Sequence, residues 1–249
     1  MTVSRKGALR LTILFALAML LSAQQEPNLR NLWVVHVKAE RLDDYRAAVK
    51  DIVATNKQAG SERYYSVWSS VSGPATFVVV WYFSKWADVY TGPEEKTKSF
   101  AASFANIAHR ILECASSRED LWDQLVPGTL VPLTGEMPKF VRVATIDVKP
   151  DKVDEFMALT KSDVVPAIKK SGARAYGMYR TVLGGPTVRF SSYLSVNALA
   201  DMDGPLGVAK GMSEAEYKEF SKKTGAMGTI VQFNVYRFES EMSYLPPPK

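Results

Sequence analysis

The chain repeats itself at long range, and that restricts its architecture more than any single motif does. Val37-Lys38-Ala39-Glu40-Arg41-Leu42-Asp43-Asp44-Tyr45 returns as Val148-Lys149-Pro150-Asp151-Lys152-Val153-Asp154-Glu155-Phe156. Three positions are identical, five are like-for-like exchanges, and only Ala39/Pro150 departs. Ser72-Gly73-Pro74 returns as Gly184-Gly185-Pro186, and Gly92-Pro93 as Gly204-Pro205. The offset is 111 at Val37/Val148 and 112 at Gly92/Gly204, so one module is used twice.

Each copy reads as β-α-β-β-α-β. In the first, Leu32–Val37 is a β-branched and aromatic strand. Leu42, Tyr45, Val49, Ile52 and Val53 then recur at helical spacing, and Gly60 ends that helix. Tyr64–Val71 and Phe77–Phe83 are strands flanking the Ser72-Gly73-Pro74 turn. A second helix is expected over Lys96–Arg110 and a fourth strand over Leu112–Arg118. In the second copy the strands are Val141–Val148, Arg174–Val182, Thr187–Ser195 and Ile230–Phe238. Its first helix, Val153–Lys170, is interrupted by Pro166, and Ser213-Glu214-Ala215-Glu216 is a capping box that starts its second.

Composition bounds the partners. Arg5, Lys6 and Arg10 precede an apolar run, Leu11–Leu21, that is too short to span a bilayer, which takes roughly 20 residues. This predicts a signal peptide over 1–23, cut after Ala23, and a periplasmic or secreted protein without membrane contact after cleavage. The leader holds three of the 31 basic residues and none of the 26 acidic ones, so the remainder carries a formal balance of +2. That gives no footprint for nucleic acid. Cys114 is the single cysteine, which excludes an internal disulfide and Cys-based metal sites, and two histidines are too few for a His-rich metal site. The domain boundaries follow as module one over 28–126, a Pro/Gly-containing linker over 127–138, and module two over 139–249, ending in a loose Pro-rich tail.

A β-α-β-β-α-β unit folds as an antiparallel sheet with both helices on one face, leaving the other face bare. Two such faces packed together close a barrel with helices outside. On Val37–Tyr45 with Val148–Phe156, Val165-Pro166-Ala167 with Ser171-Gly172, and Trp81-Tyr82-Phe83-Ser84-Lys85-Trp86, the chain resembles a tandem member of the dimeric α+β barrel superfamily. It is close in style to the NIPSNAP-like and antibiotic-biosynthesis-monooxygenase-like branches. The resemblance implies the α+β fold of two ferredoxin-like modules packed sheet to sheet, and it allows a homodimer. It does not fix an activity, because the superfamily holds oxygenases, isomerases, haem enzymes and proteins of no known activity. Haem-degrading members use an Asn on the first strand and a His early in the second helix. This chain has His36 at the first position and no His at the second, since His109 comes too late. Chlorite-dismutase-like enzymes need a His in the second module, and both histidines lie in the first. No cofactor and no metal are therefore expected.

Strand alternation assigns the side chains. Trp33, Val35 and Val37, with Ala144, Ile146 and Val148, face the helices, which puts His36 and Asp147 at equivalent inner positions. At an offset of 112, Trp81 matches Tyr193, Tyr64 matches Tyr176, and Trp68 matches Arg180. The expected lumen has an aromatic half (Tyr64, Trp68, Trp81) and a polar half (Tyr176, Arg180, Arg189, Tyr193), with Asp147 near Arg189. His36 and Asp147 are the candidate proton-transfer groups, while a strand histidine and a structural ion pair are their plainer readings. A mixed pocket of this kind suits a small apolar or aromatic ligand with a polar end. The leading reading is an exported small-molecule-binding barrel with catalysis left open. The alternatives are a cofactor-independent monooxygenase or isomerase acting on an aromatic or quinone-like substrate, and a non-catalytic interaction module with a filled lumen.

Overall fold

Eight extended runs satisfy their edges by closing on one another. The computed structural model describes residues 28–89 and 98–247. The proposed signal peptide lies outside them. In the first half, β1 (Leu29–Val37), α1 (Leu42–Ala59), β2 (Tyr65–Ser70), β3 (Thr76–Phe83), α2 (Lys98–Cys114) and β4 (Ala115–Leu125) follow in order. In the second, β5 (Phe140–Val148), α3 (Val153–Leu159), α4 (Val165–Ser171), β6 (Tyr176–Leu183), β7 (Arg189–Val196), α5 (Val208–Gly211), α6 (Glu214–Met227) and β8 (Gly228–Phe238) follow. The strands form a closed barrel in the order β1-β3-β2-β8-β5-β7-β6-β4. Every pairing is antiparallel, and the halves join through β2–β8 and β4–β6. Among the described residues no helix is long and apolar enough to cross a membrane.

Helices cover the outer faces. Val35, Val37, Phe77 and Val79 pack against Tyr45, Val49 and Ile52 in the first half. Val148, Phe190 and Leu194 pack against Val153, Phe156 and Ile168 in the second. Phe77 and Phe190, at 1% and 0% exposure, each contribute roughly 1.5–3 kcal/mol of transfer free energy. Gly60 and Gly172 close the equivalent helices at φ 60° and 75°, the left-handed region where a Cβ is strained. Between α3 and α4 the helix widens into a π turn at Thr160–Val164, with Pro166 at the start of the next segment. The expected interruption is thus a bulge placed ahead of the proline. The Ser213 capping box is present, its hydroxyl accepting from the Glu216 N–H.

The fourth strand starts at Ala115, because α2 continues to Cys114, and runs to Leu125, well beyond the expected Leu112–Arg118. Residues 127–138 are no loose spacer. Val131 bridges to Tyr176, and the Val126 N–H donates to the Met178 carbonyl. The C-terminal segment makes the matching bonds on the first half. Tyr244 bridges to Tyr65, and the Glu239 N–H donates to the Val67 carbonyl. The chain is therefore tied as far as Tyr244, the residue before the expected loose tail.

Since β2 and β4 each find their second partner strand only in the other half, 28–126 and 139–249 expressed separately should be insoluble or self-associating. Size-exclusion chromatography returning two monodisperse monomers would contradict this.

Candidate functional site

The barrel encloses a lumen of about 780 Å³. At its heart lies Arg30, which the sequence reading missed because the residue precedes the expected start of β1. Its Nη2 donates to Asp123 Oδ2 at 2.9 Å, and both side chains are 4% exposed. Thr181 Oγ1 donates to the other Asp123 oxygen at 3.0 Å. The guanidinium is sandwiched between the rings of Tyr179 and Tyr193, 3.5 and 3.7 Å from their centroids. Burial opposes its charge. Tyr193, Asp123 and Tyr179 outweigh that and hold it protonated. Arg30 and Asp123 belong to the first half and Thr181, Tyr179 and Tyr193 to the second, so the cluster ties the two across the barrel.

At the lumen mouth, Arg189 Nε and Nη2 donate to Asp147 Oδ1 and Oδ2 at 2.7 and 2.8 Å. The hydrogen bonds from Arg189 hold the Asp147 carboxyl below its ordinary range. The expected proximity is present, but the pair is already neutralised, and Asp147 is a weak proton acceptor. His36 Nδ1 lies 2.9 Å from Thr76 Oγ1 on the same rim. Trp68 and Tyr193 face the lumen, as expected.

Three other expected lumen residues sit elsewhere. Trp81 lies on the helix side, its ring 4.7 Å from Trp33 in an edge-to-face pair. Arg180 is on the outer face, its Nε donating to the Thr187 carbonyl at 2.6 Å. Tyr64 precedes β2 and stacks on Tyr244 at 5.2 Å. For Trp81 and Arg180 the cause is a slip of one residue. Register places Thr76 opposite His36 and Arg189 opposite Asp147, so β3 and β7 are related by 113 residues. Bridges to Tyr244 and Val131 relate Tyr65 to Tyr176, an offset of 111. A single offset of 112 therefore turns β3 and β6 onto the wrong face. Tyr176 is displaced by the same slip. It packs in the outer core of the second half and borders both the lumen and a second cavity.

That second cavity is a cleft of about 460 Å³ between the outer face of the second half's sheet and its helices. It is open for a reason visible in the equivalences. Ala144 stands where the first half has Trp33, and Leu194 where it has Trp81. The indole pair that fills the first half is missing from the second. Phe156, Ile168, Met178, Leu206 and Phe220 make apolar walls. Two polar groups interrupt them. The Tyr176 hydroxyl is buried with no hydrogen-bond partner, and burial pushes its phenol up. Arg142 lies 4.6 Å over the Phe233 ring, forms no salt bridge among the described residues, and has its pKa lowered by desolvation.

Haem does not fit the cleft. No imidazole or thiolate lines it, the Met178 thioether is buried in packing at 3% exposure, and Tyr176 is biased toward the neutral phenol. Among the described residues no cluster of three or more His, Cys, Asp or Glu is arranged to hold a metal ion.

No protein-family model and no curated protein matches the sequence. Solved structures do match. A candidate monooxygenase from Fusobacterium nucleatum superimposes with a TM-score of 0.57 at 15% identity, covering 86% of this chain and 92% of that one. An anthrone oxidase-like protein gives 0.53 at 14% identity, covering 88% and 94%. A mutant chlorite dismutase from Candidatus Nitrospira defluvii gives 0.56 at 11% identity, covering 87% and 93%. The chain has the dimeric α+β barrel fold. Within that α+β barrel, identities this low carry the architecture and no chemistry.

Asp123→Asn leaves Arg30 buried without its counter-charge and should destabilise the α+β barrel by about 3–5 kcal/mol in urea unfolding. Asp147 behaves differently because it is a third exposed. Its folded pKa is depressed, so the pair stabilises above the ordinary carboxylate range and that contribution is lost as pH falls through the folded value. The stability gap between the native chain and Arg189→Met should thus be present at about pH 7 and narrow at about pH 3. A gap independent of pH would exclude the pair as its source.

Proposed function

We propose that the chain binds an oxygenated aromatic molecule, phenolic or quinone-like, in the cleft of its second half, and that oxygenation of that molecule is the activity the cleft supports. The observation that carries this is the pairing of Arg142, which lacks a counter-ion among the described residues, with the unpartnered Tyr176 hydroxyl in an otherwise apolar cavity. Arg142 suits a phenolate or enolate oxygen, and Tyr176 donates to a second oxygen on the same ring system. The apolar walls exclude water and seat the rings. Oxidation is taken as the reaction class by analogy with a candidate monooxygenase and an anthrone oxidase-like protein that share the fold.

The chemistry balances without an outside reductant. A methylene between two aryl rings supplies four electrons to one molecule of dioxygen. Both of its C–H bonds break, one oxygen atom becomes the new carbonyl, and the other leaves with the two hydrogens as water. Neither a carboxylate nor an imidazole lines the cleft. The cleft therefore stabilises an anion that forms in solution and does not generate one. That same observation supports a second reading, in which the chain binds such a molecule without turning it over. The same view takes 28–126 and 139–249 as two ferredoxin-like modules. The matched edge bonds of Val126 and Glu239 support it. The basic, apolar leader supports a place outside the cytoplasm.

Ala144→Trp restores one indole of the filled half and should reduce binding of 1,8-dihydroxyanthrone at least tenfold with no loss of stability. Arg142→Gln should reduce it about tenfold, as for a lost charged hydrogen bond. Calorimetry with unchanged affinity in both variants would remove the cleft as the site. Oxygen uptake matching anthrone consumption one to one would separate oxidation from binding alone.

A further inference from the structure

We propose that the lumen is a second ligand site, separate from the cleft, and that it takes an aromatic amine in its cationic form. Three observations lead there. The first is space: the lumen, about 780 Å³, lies within the range of small-molecule sites, although the inner faces of a barrel this small are normally filled by side chains. The segment after β4 roofs one end, where β5 and β6 begin, through Leu130, Leu133 and Met137. The other end opens between the Ser72-Gly73-Pro74 turn and Arg189.

The second is charge. Carboxylates and guanidiniums in and around the lumen are nearly matched. Arg30 is held by Asp123, and Arg189 by Asp147. Glu119 is left over. It lines the lumen from β4, opposite Val34, and makes no hydrogen bond or salt bridge among the described residues. It lies within electrostatic reach of Arg189 and Tyr236. A second anion entering here meets three carboxylates against two guanidiniums, both already engaged.

The third is the wall. Trp68, Tyr82 and Tyr236 border the same volume, and the lumen already holds one cation between two rings, the Arg30 guanidinium. Ring faces and one unmatched carboxylate recognise an organic ammonium group on an apolar body. The two cavities therefore prefer opposite charges: Arg142 in the cleft an anion, Glu119 in the lumen a cation. Tyr176 borders both.

The test uses the full chain, calorimetry and two probes with one ring system, tryptamine and indole-3-acetate. Tryptamine should bind with a Kd of about 1 mM or tighter, in line with a ligand of its size. Glu119→Gln, a change at an exposed position, should weaken tryptamine about three- to tenfold and leave indole-3-acetate unchanged. Ala144→Trp, which fills the cleft, should leave tryptamine unchanged. The lumen proposal is overturned if tryptamine fails to bind, if its affinity falls in Ala144→Trp, or if it is indifferent to Glu119→Gln. Loss of indole-3-acetate in Ala144→Trp supports the cleft reading whatever tryptamine does. Its persistence there counts against the cleft without touching the lumen.

Discussion

Each half of this chain makes an inner sheet face that only the other half can cover. Antiparallel pairing of β2 with β8 and of β4 with β6 satisfies the edges, and the barrel closes. Everything else is placed by that closure. It brings Arg30 and Asp123 of one half against Tyr179, Thr181 and Tyr193 of the other. A guanidinium so enclosed is tolerable only because its partners arrive from both halves at once. The cluster therefore favours the closed arrangement over two sheets that slide past one another.

The two halves share a frame, and differences between them open the cleft. In the first half Trp33 and Trp81 meet edge to face and fill the space between sheet and helices. In the second half Ala144 and Leu194 stand in their places, and a cavity remains. At Asn31 and Arg142, also equivalent, the exchange adds a cation to that cavity. Asn31 is satisfied by Asp120, whereas Arg142 lies over the Phe233 ring and forms no salt bridge among the described residues. Three substitutions on neighbouring strands thus separate a structural half from one with room and charge for a ligand.

Most of the fold was legible in the sequence because hydrophobic period is a local property. Val35 and Val37, like Ile146 and Val148, announce their face by alternation alone, and Ser213 with Glu216 announces a helix start. The lumen was legible only where the strand phase was right. His36, Asp147 and Arg189 fall where alternation puts them, and Asp147 meets Arg189 as expected. Trp81 and Arg180 do not, because the β6–β7 turn is longer than the β2–β3 turn by one residue before its proline and one after, and a single offset cannot follow both strands. The residues after Pro186 include one more than those after Pro74 before the next strand, a difference countable in the sequence. Arg30 was hidden for another reason. A charged residue at a strand's start reads as solvent-exposed until the partner strand that carries Asp123 is known. The cleft was hidden because an empty volume has no residue to signal it, although the exchange of Trp33 for Ala144 is visible in the two copies.

The segment that joins the halves and the segment that ends the chain perform the same task on opposite sides of the barrel. Val126 and Val131 pair with β6 as Glu239 and Tyr244 pair with β2. The connection between halves therefore has a second copy, lying where a link back to Asn28 would begin. The barrel has no intrinsic first half. A circularly permuted chain that starts at residue 139 and is joined from its old end to residue 28 would present the same strands, the same edge bonds and the same two cavities, with only the point of severance moved.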